Sequence, residues 1–153
     1  GDDMILVTTK GQSIRFKESD IREMGRSAGG VTAMRLEKGD HIVGADVVKK
    51  DVKTAALLVM GANGYGKTTD INEYKVQKRS GSGIKTAQVT AKTGDVIASK
   101  VVSDPEAEIV AISKKSQVIR VDIKEIPELG RQTQGVRVMK LRDGDSLASM
   151  IVF

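Results

Sequence analysis

The 153-residue sequence has no cysteine, no tryptophan, a single histidine, two prolines, and only two tyrosines and two phenylalanines. Without thiols it holds no disulfide framework and no thiolate metal site. The lone His41 excludes Cys/His zinc modules, paired-histidine centres and most nucleophile–base pairs. No apolar run nears the length of a membrane-spanning helix, about 20 residues, and the N-terminal stretch lacks a signal-peptide core. At 3% aromatic, the chain has little with which to stack single-stranded bases. What is present is 39% hydrophobic and 29% charged, within the globular range, with 25 Lys and Arg against 20 Asp and Glu and a net charge of +5. The expectation is one soluble, basic, intracellular domain that needs no cofactor and has little material for catalysis.

The chain repeats itself. Residues 21–40, IREMGRSAGGVTAMRLEKGD, match 126–145, IPELGRQTQGVRVMKLRDGD, at ten of twenty positions with a constant offset of 105. A weaker copy lies halfway: at an offset of 53, Gly11 meets Gly64, Arg26 meets Arg79, and Gly30-Val31 meets Gly83-Ile84. Three units follow, at about 3–48, 56–102 and 108–153.

Each unit reads as four strands. In the first, 4–8 is apolar, Lys10-Gly11 turns, and Ile14 and Phe16 alternate with Arg15. A loop crosses Gly25 to Gly30, a third strand is expected at 31–36, and Glu37-Lys38-Gly39-Asp40 turns into a fourth at 41–48. Short strands rich in Val and Ile, with Gly at the turns, predict an all-β, propeller-like array. Closed propellers need about four to eight blades, so three four-stranded blades are expected to form part of a larger ring. Open blade edges carry unpaired strands, which makes self-association an expected property.

Residues 61–68, GANGYGKT, fit the phosphate-loop pattern G-x-x-x-x-G-K-[ST]. That motif needs a helix starting at the lysine. The following TDINEYKV has no amphipathic helical face, and the repeat register sets Gly64 on the hairpin glycine Gly11. A glycine-rich β-turn is the better reading.

The excess charge is local. Units one and three are each balanced, whereas the middle unit sets seven cations against Asp70, Glu73 and Asp95, and Lys49, Lys50 and Lys53 precede it. More telling is the patterning. Arg26, Arg79 and Arg131 recur at the unit spacing, as do Arg15 and Arg120, Lys85 and Arg137, and Arg35 and Lys140. Stacked units would turn each set into a row, as a phosphate backbone requires. Alternating cations also suit the solvated face of a half-buried sheet, and an Arg after Gly can equally bond a neighbouring blade's carbonyls. Repetition with basicity favours duplex binding. The expected contacts are Arg15, Arg26, Arg35, Lys67, Lys78, Arg79, Lys85, Arg120, Arg131, Arg137 and Lys140.

Four phrases, VTTKGQSIRF at 7–16, MGRSAGGV at 24–31, ANGYGKTTDINEY at 62–74 and LGRQTQGVR at 129–137, closely resemble the C-terminal domain of the bacterial DNA gyrase A protein. The topoisomerase IV A protein is the next nearest resemblance. The likeness implies a β-pinwheel of about six blades around which double-stranded DNA wraps. It also implies a non-catalytic module of a bacterial, nucleoid-associated enzyme of the cytoplasm. Its partners there would be the rest of the gyrase A protein together with the gyrase B protein. A propeller-type protein-interaction scaffold is the alternative. The family's heptapeptide Q-[KR]-R-G-G-[KR]-G has its nearest counterpart in QKRSGSG at 77–83, which departs from it at Ser80 and Ser82. Tyr65 and Tyr74 lie in repeat sequence and do not match the family's catalytic tyrosine.

Overall fold

The computed structural model describes residues 1–21, 24–27 and 29–153. Unit one supplies β1 (Asp3–Thr8), β2 (Gln12–Lys17) and β3 (Ile42–Val48). Unit two supplies β4 (Ala56–Gly61), β5 (Tyr65–Asp70), the two-residue strands β6 (Val76–Gln77) and β7 (Ile84–Lys85), and β8 (Val96–Val102). Unit three supplies β9 (Glu108–Ser113), β10 (Val118–Asp122), β11 (Val136–Arg137) and β12 (Leu147–Val152). Single 3-10 turns at Glu18–Asp20, Ile71–Glu73 and Ile123–Glu125 follow β2, β5 and β10.

Three sheets result, one per blade, ordered β3-β1-β2, β8-β4-β5 and β12-β9-β10. The outer place of a sheet, however, is filled by the following unit. β6 runs parallel and β7 antiparallel to β2, with Arg15 opposite Val76 and Ser13 opposite Ile84. In the same way β11 joins β5, setting Arg137 opposite Tyr65. The strand expected at 31–36 is therefore not formed within its own unit, and its counterparts are two-residue strands lent to the preceding blade.

The blades stack through their sheet faces. β4 shows why its apolar run has that length and period: Leu57 and Val59 face one core, with Ile5, Val7, Val48 and Tyr74. Leu58 and Met60 face the other, with Ile109, Val121, Met139 and Leu147. Alternate side chains of a strand point to opposite faces, so a strand between two layers has to be apolar throughout. A third cluster, Leu6, Ile14, Phe16 and Met34, lies on the far side of β1.

In units one and three the aspartate of the recurring Gly-Asp pair clamps its turn to the hairpin beside it. Asp40 Oδ1 accepts from Thr9 Oγ1 at 2.7 Å and from the amides of Lys10 at 3.0 Å and His41 at 2.9 Å. Its equivalent Asp145 accepts from Ser113 Oγ, Lys115 N and Ser146 N. Burial opposes the Asp40 charge, but the hydroxyls of Thr8 and Thr9 and the two amides outweigh it, and its carboxyl is held below the ordinary value. The Ser113 hydroxyl is the main cause that lowers Asp145. A depressed carboxyl stabilises the fold above the unfolded pKa and loses that contribution as pH falls through the folded one. Thermal melts should thus keep their midpoint from pH 7 to about 5 and fall steeply below about pH 4. Asp40→Asn should flatten that acid limb, and an unchanged limb would count against the clamp.

Candidate nucleic-acid interface

The phosphate-loop pattern is spent on the fold. Gly61 ends β4, Gly64 turns the hairpin at φ +87°, and Lys67 and Thr68 lie inside β5, opposite Val59 and Leu58. Only the 3-10 turn Ile71–Glu73 follows, so no helix N-terminus meets the motif.

Two of the expected phosphate contacts are internal. Arg15 donates from Nε to Asp3 Oδ2 at 2.9 Å, and from Nη1 to the carbonyls of Ile71 at 3.1 Å and Tyr74 at 3.3 Å. It joins unit one to unit two. Lys67 is 1% exposed and donates from Nζ to the carbonyls of Gly130, Arg131 and Thr133 at 2.8, 2.9 and 2.8 Å. Lys67 is closed off from solvent, and half-buried Arg15 has its guanidinium donors taken up by the Asp3 carboxylate and two carbonyls, so neither is placed to meet a phosphate.

Arg79 and Arg131 each make the carbonyl tether weighed for them. Nη1 of Arg79 donates to Thr32 O at 2.6 Å, and Nη1 of Arg131 donates to Lys85 O at 2.6 Å. Thr32 and Lys85 occupy one repeat position, so the same tether is built twice. Both arginines remain partly exposed, with further donors on the guanidinium fork. A guanidinium held at one corner has less freedom to lose when its other donors bind.

Around these tethers the remaining cations face solvent. Arg26, Arg35, Lys78, Lys85, Arg120, Arg137 and Lys140 are all exposed. Arg35 reaches Ser82 Oγ through Nε at 3.2 Å and Nη2 at 3.1 Å, and Arg137 lies 5.6 Å from the centre of the Tyr65 ring. Such stacking fixes a guanidinium without using its donors. Arg120 pairs with Glu108 and lies 5.6 Å over Phe153. Among the described residues, Lys78, Lys85, Arg137 and Lys140 have no carboxylate within ion-pair distance.

One contributor was missed at the level of sequence. Glu73 Oε1 accepts the Arg131 amide at 3.0 Å and so fixes the loop that carries Arg131. The signal was an acid recurring at unit spacing, Asp20, Glu73 and Glu125, each closing a 3-10 turn.

Fold and surface together define a repeat scaffold of strand-lending blades that presents tethered and free cations. Among the described residues, no group of three or more metal-binding side chains comes together, and no helix is long and apolar enough to cross a membrane. The chain belongs to the DNA gyrase C-terminal domain family, a beta-propeller family that matches residues 2–49, 55–103 and 107–153. It is 42% identical over 151 residues to the DNA gyrase A protein of Mycolicibacterium smegmatis, covering 97% of this chain and 18% of that protein. To the DNA gyrase A protein of Staphylococcus epidermidis it is 38% identical over 149 residues, covering 97% and 16%. The chain thus spans less than a fifth of these relatives. A solved DNA gyrase A C-terminal domain superposes with a TM-score of 0.89 at 31% identity, over 99% of this chain and 50% of that one. The C-terminal domain of DNA topoisomerase IV gives the same TM-score at 22% identity, over 99% and 46%, a likeness of fold.

Proposed function

We propose that this domain is a non-catalytic module that binds and wraps double-stranded DNA for a gyrase-type topoisomerase. In that reading its partners are the remainder of the gyrase A protein and the gyrase B protein. The whole enzyme, not this part, performs supercoiling at the bacterial nucleoid. The observation that carries it is the recurrence of exposed cations at unit spacing around arginines tethered to a neighbouring unit's backbone. A duplex held along such a row is recognised through its phosphates and its capacity to bend, with no base edge read. The proposed contacts are Arg26, Arg35, Lys78, Arg79, Lys85, Arg120, Arg131, Arg137 and Lys140.

The test is fluorescence anisotropy with duplexes of about 40 base pairs and unrelated sequence, a length chosen to offer several turns of backbone. Affinities should agree within about threefold across sequences. Replacing Lys78 and Arg79 together with Ala should weaken all of them alike, by about tenfold or more. No binding at low salt would remove the proposal and favour the interaction scaffold. A strong preference for one sequence would replace wrapping with base readout.

A further inference from the structure

The repeat register sets Lys67 where the other units have Ile14 and Ile119. Ile14 is fully buried there, so the fold accepts an apolar side chain at this place. Burying an ammonium costs several kcal/mol unless its protons all find acceptors. Those of Lys67 do, and every acceptor lies in one loop of the following unit: Gly130 O, Arg131 O, Thr133 O, and Thr133 Oγ1 at 3.1 Å. Glu73, a few residues further along unit two, takes the Arg131 amide of that same loop. The loop is gripped at both polarities, its carbonyls by an ammonium and an amide by a carboxylate.

Peptide geometry sets what the loop shows to solvent. In a trans peptide the C=O and the next N–H point in opposite directions. Drawing the carbonyls of Arg131 and Thr133 towards the ammonium therefore turns the amides of Gln132 and Gln134 away from it, on the outer side of the loop. The corresponding loop of unit two rests over Ile14 with no ammonium beneath it; it shares the arginine tether, Arg79 on Thr32 O, and adds Ser80 Oγ on the same carbonyl.

We propose that Lys67, with Glu73 as its counter-grip, is a positioning residue that fixes loop 130–134 so that Arg131 and the outward amides of Gln132 and Gln134 meet the DNA backbone. The assignment rests on the DNA-wrapping reading. The charged groups facing Lys67 are Glu73 and Arg131, and its pKa is lowered to about 8, by burial first, with Glu73 opposing and Arg131 adding.

The test is a double-mutant cycle on duplex affinity with Lys67→Met and Arg131→Ala, since Met keeps the packing and removes the donor. Arg131→Ala should cost about tenfold in the unaltered chain and less than about twofold after Lys67→Met. Equal costs in both backgrounds would overturn the positioning role while leaving DNA binding intact. An unaltered chain that binds no duplex would instead remove the underlying reading. Should Lys67→Met not fold, the unaltered protein supplies the decision through nitrogen-15 spectra. A slowly exchanging ammonium signal should titrate near pH 8, and the amides of residues 130–134 should shift with it. Amides that stay still through that titration would overturn the proposal.

Discussion

Raising the salt concentration from about 50 to about 200 mM should weaken duplex binding by about five hundredfold. The estimate follows from counterion release: each neutralised phosphate frees a condensed cation, and about five contacts give a slope near −4.5 in log affinity against log salt. The nine exposed or partly exposed cations exceed that number, because a duplex following one rim cannot touch all of them at once. Arg15 and Lys67 do not enter the count, since carbonyls and Asp3 already satisfy them. Replacing Lys78 and Lys85 with Ala should make the slope shallower by about two, because neither has an ion-pair partner to release. Titrating one labelled duplex at four salt concentrations decides the matter. A flat response would mean that the cations are solvated ornament on a sheet face, and the wrapping reading would go with it.

Much of the fold was legible in the sequence, for a physical reason. A unit that buries its faces only against its neighbours has to repeat its apolar positions, turn glycines and clamp aspartates in register. Gly11 and Gly64, or Asp40 and Asp145, therefore announce the blades before any strand is assigned. What the register does not carry is direction. An offset of 53 says that 31–36 and 84–89 are equivalent, but not that Ile84-Lys85 pair with β2 of the unit before. The two-residue strands take their conformation from that pairing, and nothing in their own composition demands it.

The candidate contacts divide along the same line. Lys78, Lys85, Arg137 and Lys140 were readable as outward residues from strand alternation and turn composition. Lys67 was not. It lies in YGKTTD, a polar-looking strand in which the first five residues are buried. The cover comes from a loop of unit three, more than sixty residues away in the chain. Alternation reports which face a residue takes, and it cannot report that a distant loop covers that face with carbonyl oxygens. Arg79 and Arg131 show the converse. Both readings weighed for them, phosphate contact and carbonyl tether, are compatible, because a guanidinium has donors to spare.

The largest effect on stability is expected at Gly64. Gly64→Ala should lower the melting temperature by about 6–12 °C, the equivalent of about 3 kcal/mol. Two independent costs add there. Gly64 has φ +87°, a region that a side chain enters only at a penalty, and its Cβ would overlap the carbonyl oxygen of Met139. The Gly64 carbonyl also accepts from Val138 N at 2.9 Å and Met139 N at 3.1 Å, so the turn cannot back away without breaking the seam between units two and three. Gly30 separates the two costs. Its φ is +76°, yet among the described residues nothing lies within 4 Å of its would-be Cβ. Gly30→Ala should therefore cost only the backbone penalty, about 1 kcal/mol, or about 2–4 °C. Ser116, at the position of Gly64 in unit three, has φ +68°, so a side chain is accepted there at the cost of the backbone penalty alone. Melts of the two alanine variants side by side give the result. Equal losses would mean that backbone strain alone is at work, whereas a clear excess at Gly64 would locate the stability of the array in the close approach of one unit's backbone to the next.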